Sequence, residues 1–422
     1  MKYLFSLLLP IISASAFAQT DSFYLLKPSR VFDGEILHDN WVVLVKGNKI
    51  IEAGTISFKL PSNTRIIELK GATLLPGLIE GHSHLYLHPY NETSWNDQVL
   101  KESRAERTAR AVTHAEATLM AGFTTIRELG TEGAAYDDAG LKMAIEKGVI
   151  SGPRMIVATK AIVAKGSYGV KSDNPDVEYP KGAAEVANRE EMEREVRSQI
   201  SKGADVIKIY ADYRWNLQGE AAPTFSVDEL AAAVAIAESS GRYVAVHSAT
   251  TEGMLRSIKA GVHTIEHGDL GTEEIFKAMK EKNIAYCPTL AASDAITQYN
   301  GWKKGTEPEP LRILNKRKSF SAALRSGVTI LMGGDVGVFP HGDNAREMEM
   351  MVDYGMPPID VLKSATSVNA DVFGWGDRIG RIRKGLFADL IAVSGNPSAN
   401  IHDIRKTIFI MKDGTLYMEP KR

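Results

Sequence analysis

Residues 73–84 read TLLPGLIEGHSH. A run of apolar residues, Leu74-Leu75-Pro76-Gly77-Leu78-Ile79, leads into a small polar cluster with two histidines one residue apart. On a β-strand, residues i and i+2 share a face. His82 and His84 would therefore aim both imidazoles the same way from the end of a buried strand. Two converging imidazoles are half of a metal site. Taken alone, the pair reads as readily as two polar residues in a turn, so the decision falls to the rest of the chain.

Seven further strand-like runs follow, at residues 124–128, 154–159, 206–210, 243–247, 263–267, 284–287 and 329–332. Helical patterns lie between them, at 105–121, 137–147, 189–202, 226–240 and 316–326. Before several strands the helix stops at a glycine, as at Ala260-Gly261 and Ser326-Gly327, the expected left-handed stop. Strand and helix alternating at this rhythm indicate a parallel sheet, and eight strands in a row favour a closed (β/α)8 TIM barrel over an open sheet. The expected fold class is α/β.

Outward from the barrel, short alternating strands punctuated by Gly and Asn precede it, at 23–26, 41–45, 49–51 and 65–69. Matching pieces follow it, at 388–393, 408–411 and 416–418. The two ends are expected to combine into one small β-sandwich, residues 19–72 with 378–422, around a barrel spanning 73–377. Residues 1–18 read as a secretory signal: Lys2, an apolar core at 4–12 too short to span a bilayer, and Ala16-Phe17-Ala18 before the expected cut. The chain is thus expected to be exported, to the periplasm or the medium, with no membrane span. Cys287 is the single cysteine and sits in an apolar run, so a buried inert thiol is expected. A net charge of −2 offers nothing to a nucleic acid or an anionic membrane surface.

Chemistry in such a barrel sits at the C-terminal ends of the strands. There the sequence places His82 and His84, Lys208, His247, His267, and Asp335 after Gly333-Gly334. Each alone has an ordinary structural reading. Lys208 is the hardest to read that way, because an uncompensated ammonium inside a barrel strand is costly. A lysine that has reacted with carbon dioxide becomes a carbamate, an anionic oxygen ligand able to bridge two cations. Neutral imidazoles with carboxylate-type oxygens suit zinc, and also manganese, iron or cobalt.

PGLIEGHSH at the end of a first strand, IKI with its lysine, VHS, EHG and GGD, followed by KGLFADLIAVSGNP at 384–397, resemble the metal-dependent amidohydrolase superfamily, binuclear subtype. The resemblance covers essentially the whole mature chain. It implies two divalent metal ions: His82, His84 and Asp335 on the more buried one, His247 and His267 on the more exposed one, and carbamylated Lys208 between them. It implies amide hydrolysis by a metal-bridging hydroxide, with Asp335 as general base and then acid. It also implies a symmetric homo-oligomer.

The loops after strands three and four, Ala164 to Gly169 and Ile209 to Trp215, resemble the branch of secreted or periplasmic Xaa-Pro dipeptidases and N-acyl amino-acid hydrolases, ochratoxin-degrading amidases included. These release a C-terminal amino acid from a small amide or dipeptide. Tyr168, Tyr213 and Arg214 are the candidates for its carboxylate, and His341, just beyond Asp335, for a further substrate contact. Arg127 either faces the site or pairs with Glu128 or another internal carboxylate. A one-metal deaminase or imidazolone hydrolase fits less well, because those lack the strand-four lysine. A lactonase or phosphotriesterase remains open. A catalytically silent scaffold is opposed by the complete set of six ligand positions.

Overall fold

Period-two alternation at both chain ends has to bury one face of each strand, and the two ends do so together. In the computed structural model, residues 23–55, 60–171, 174 and 176–420 are described. The expected secretory signal, with its cut after Ala18, lies outside these residues. Five strands from the N-terminal part (Phe23–Phe32, Leu37–Asp39, Val42–Lys46, Lys49–Gly54, Thr64–Pro76) join three from the C-terminal part (Leu390–Ser394, Thr407–Lys412, Thr415–Met418) in one eight-stranded sheet. Thr64–Pro76 is the seam, parallel to Phe23–Phe32 on one side and antiparallel to Leu390–Ser394 on the other. The hydrogen bonding is thus continuous, where two separate sheets of a sandwich were expected. Along Leu390–Ser394 the side chains alternate. Leu390 and Ala392 join Leu26, Val43 and Leu74 in the small core, while Ile391 and Val393 join Leu75 and Leu78 in the large one.

Thr64–Pro76 ends one residue before the next strand, Leu78–Ser83. The run expected as one barrel strand is therefore two. Gly77 makes the joint, and a Cβ there would stand 2.0 Å from the Thr124 hydroxyl. Leu78–Ser83, Phe123–Glu128 and Arg154–Val157 form a parallel sheet of three. Ala184–Val186, Ile162–Ala164, Ile207–Tyr210, Val244–Ser248, Thr264–His267 and Ala285–Cys287 form a parallel sheet of six.

Two of the expected strands are altered. The third stops at Val157, turns through Thr159 (φ +65°), and resumes as Ile162–Ala164 against Ile207–Tyr210. The eighth, at 329–332, is reduced to bridges: Tyr286 pairs with Ile330, and Gly81 N–H donates to Met332 O at 3.0 Å. The Asn369 amide donates to both Ile79 O and Met332 O, so a side chain stands where a ladder bond would be.

The five expected helices are present as Arg104–Met120, Asp137–Glu146, Arg189–Ser201, Val227–Ser239 and Leu311–Ser326, the last starting five residues early. Ser226 and Glu229 form a capping box, and Gly261 and Gly327 close their helices in the left-handed conformation. Among the described residues, no helix is long and apolar enough to cross a membrane.

Candidate active site

The Leu78–Ser83 strand delivers His82 at its end, and His84 follows just beyond. Asp335 reaches them because the segment 333–336 is tied to the same strand. Its N–H donates to His82 O at 2.9 Å, and His84 N–H donates to Val336 O at 2.9 Å. The buried Glu80 carboxylate clamps both sides, accepting from His82 N, Gly334 N and the Asn344 amide. Burial raises that carboxyl to about 7. Asp335 Oδ1 ends 3.2 Å from His84 Nε2 and 3.7 Å from His82 Nε2. These three residues offer ligand atoms all within 4.8 Å of one another.

Lys208 lies on Ile207–Tyr210, fully buried, and its polar contact among the described residues is His82 Nε2 at 3.5 Å. Burial lowers the lysine, so its amine is shifted toward the neutral, nucleophilic form. His82 Nδ1 is held by Glu266 Oε2 at 3.0 Å, and Glu266 is held in turn by Arg127 at 2.9 and 3.0 Å. Arg127 thus pairs with an internal carboxylate, although not with Glu128.

His247 and His267 come from the next two strand ends, with ring centres 4.3 Å apart; His267 lies 5.1 Å from His82. His267 takes a left-handed turn (φ +73°), as does Asp335 (φ +62°). Such backbone in a non-glycine residue is strained and recurs at functional sites. The six predicted ligand positions therefore converge.

The imidazoles are set up as neutral donors. Burial and the nearby Lys208 pull His82 down to about 3. Burial also pulls His247 down to about 4 and His267 well below its usual value. Nδ1 of His82, His84 and His267 faces Glu266, Gly130 O (2.8 Å) and Thr289 Oγ1 (2.8 Å), which leaves each Nε2 for the centre. Outer partners of this kind orient metal-binding histidines. His84 differs: burial works against its charged form, but Asp335 outweighs burial and raises it to about 9. Burial raises Asp335, yet His82, His84 and Lys208 hold it well below the usual carboxylate range. Cys287 is buried, with burial pushing the thiol up, and it makes a weak contact with Gly333 O at 3.7 Å.

His82, His84, His247, His267 and Asp335 line a cavity of about 600 Å³ that also touches Tyr168, Tyr213 and Arg214. Tyr213 OH and the Arg214 guanidinium make no hydrogen bond to the protein among the described residues, so both can meet a ligand. His341 is not brought in. It stacks on His114 at 4.3 Å and contacts Leu87 O at 3.1 Å, behind the wall, because the Pro340 turn carries it away from Asp335. His88 is held by Glu92 and Glu102. Sequence reasoning missed Glu132 and Arg312, which also line the cavity. Glu132 sits in a left-handed loop position (φ +48°) just past the Phe123–Glu128 strand, where no periodic signal marks it.

Comparisons with known proteins place the chain in a family. The sequence model of the amidohydrolase family matches residues 73–417, and the chain belongs to that family. It is 31% identical over 379 residues to an ochratoxinase of Aspergillus niger, covering 82% of this chain and 76% of that one. The solved structure of A. niger ochratoxinase superposes with a TM-score of 0.80 at 25% identity, over 95% of this chain and 96% of the other. A Xaa-Pro dipeptidase structure with bound methionine in its active site superposes with a TM-score of 0.83 at 31% identity, over 94% of this chain and 100% of the other. The chain is mixed α/β and is an amidohydrolase by family.

Proposed function

We propose that this chain is a binuclear metal-dependent hydrolase that releases a C-terminal amino acid from dipeptides or N-acyl amino acids, ochratoxin-like amides included. The observation that carries this reading is Lys208: a fully buried amine 3.5 Å from His82 Nε2, with no carboxylate bonded to it among the described residues, where His82 also neighbours His84, His267 and Asp335. Reaction of that amine with carbon dioxide would give a carbamate, whose anionic oxygens two metals need. His82, His84 and Asp335 would hold one metal, His247 and His267 the other, with zinc first among the candidates. When bound, such a pair supplies Lewis acidity and makes water nucleophilic at neutral pH.

The chain's own residues do the rest. Asp335, kept ionised by its neighbours, accepts a proton from the water that attacks the amide carbon. It then gives that proton to the nitrogen as the C–N bond breaks, so an acid and an amine leave. Arg214 and Tyr213, whose donors are free, take the substrate carboxylate. Support for the substrate class comes from the ochratoxinase and the Xaa-Pro dipeptidase above.

The same reading takes the two parallel sheets as parts of one closed (β/α)8 barrel. Val157 O accepts from Asp205 N and Val206 N at one junction, and the segment 329–336 bridges the other. It takes the sheet from both chain ends as the second domain, the protein as exported after cleavage past Ala18, and the working form as a homo-oligomer. Metal analysis of protein purified without chelators, with a panel of dipeptides and N-acyl amino acids, tests the proposal. About two metals per chain, lost with activity on chelation, are expected. A metal-free protein, or no turnover of any compound with a free C-terminal carboxylate, would overturn it.

A further inference from the structure

The amide-hydrolase reading leaves open whether the acyl side of the bond carries a free amino group. One wall of the cavity bears on this. Glu132 is buried and spreads its carboxylate over three donors: Trp95 Nε1 at 3.0 Å and Tyr168 OH at 2.5 Å on Oε2, and Tyr210 OH at 3.2 Å on Oε1. Burial raises both phenols well above their usual value, so each is protonated and donates. A phenol has one proton. With it given to Glu132, Tyr168 and Tyr210 can only accept from a ligand. This excludes Tyr168 from the carboxylate-binding role expected of it.

The carboxylate has no cation hydrogen-bonded to it among the described residues, although its charge acts on Arg107 and His84. Arg107 is the neighbouring guanidinium, but its bonds go to the backbone carbonyls of Tyr86, Thr131 and Glu132. No ion pair involves the Glu132 carboxylate among the described residues. A buried carboxylate without a paired charge is costly unless something completes it. Oε1 has one bond, and so a lone pair to spare. The wall is close to the metal-ligating residues: Tyr210 stacks on His247 at 4.6 Å, and the Glu132 charge acts on His84.

Within the cavity, Arg214 and Tyr213 present free donors and Glu132, Tyr168 and Tyr210 present acceptors, side by side: the Tyr213 ring lies 4.8 Å from that of Tyr168. The geometry points to the acceptor wall as a subsite for a protonated amine on the acyl side of the scissile bond. This inference rests on the proposed amide hydrolysis and narrows it: the substrates are dipeptides with a free amino terminus, in preference to N-acyl amino acids.

The test pairs L-alanyl-X with propionyl-X, X being the C-terminal residue turned over best; the pair differs only in the amine. The metal-loaded protein should favour alanyl-X at least tenfold in kcat/KM at pH 6.5. That preference should fade above pH 8, as the α-amino group (pKa roughly 7.7–8.0) loses its proton, while propionyl-X shows no such fall. In Glu132→Gln the ratio should drop toward one. Glu132→Asp keeps the negative charge and should retain a preference above that of Glu132→Gln. A ratio of one or less in the unmodified protein would overturn the inference, and so would Glu132→Gln lowering both substrates equally. Failure to hydrolyse either member, whatever X, would instead remove the amide reading beneath it.

Discussion

At the scale of single residues, the site separates groups whose loss affects chemistry from groups whose loss affects the fold. Asp335 makes its contacts through Oδ1 to two imidazoles, and the backbone bonds of 333–336 do not involve its side chain. Asp335→Asn should keep the melting temperature within a few degrees and lose at least about a thousandfold in kcat, the scale expected when proton transfer and nucleophile activation fail together. Calorimetry and single-turnover kinetics measure the two; retained turnover would remove Asp335 from its role. Lys208→Met should show the opposite split from an ordinary core change. Turnover disappears, yet the metal-free protein gains about 1–3 kcal/mol in urea unfolding, because a buried amine without a good partner is replaced by an apolar chain of similar length. The six proposed ligand positions were legible in the sequence because each lies in or just after an apolar run near the end of a strand. Glu132 was not, since its function arises from where Trp95, Tyr168 and Tyr210 come together, and they are distant in the chain. His341 illustrates the converse: six residues past Asp335 in sequence, it is turned outward onto His114.

At the scale of elements, side chains do the joining that regular ladders do not. Asp138, in the first turn of Asp137–Glu146, accepts from Thr159 N at 2.8 Å and so ties that helix to the turn after Arg154–Val157. Burial raises this carboxyl from 3.8 to about 7. The folded state thus keeps a proton that the unfolded chain releases between those values. Stability from this group is full below the unfolded value and declines as pH rises through the window. Asp138→Asn cannot titrate, so its urea midpoint should fall less than that of the unmodified protein between pH 4.5 and 7.5; parallel curves would contradict the assignment. Glycine stops and apolar periodicity made the helices readable to within a residue or two, except for the start of Leu311–Ser326. The breaks in strands three and eight were not readable. They depend on a left-handed Thr159 and on an Asn369 amide arriving from far along the chain.

At the scale of the whole molecule, the sheet made from both chain ends is part of the site's foundation. Leu390–Ser394 pairs directly with the strand that runs, through Gly77 alone, into the one bearing His82. Removing residues 407–422 would strip Phe409 and Met411 from the small core and Ile410 from the large one. That truncation should give insoluble protein, not a working hydrolase with a trimmed edge, as sedimentation after expression would show; soluble, active protein would contradict this. The seam also sets an order of events during synthesis. Every proposed ligand has been synthesised by residue 335, but the partner of the seam strand is not complete until residue 394. The nascent chain therefore carries a complete list of ligands for almost sixty residues before the sheet that anchors the first of them can close. Under the proposed export, such a chain would stay threadable through a narrow channel late into its translation and would take up its proposed metals after release, in the compartment where it finishes folding.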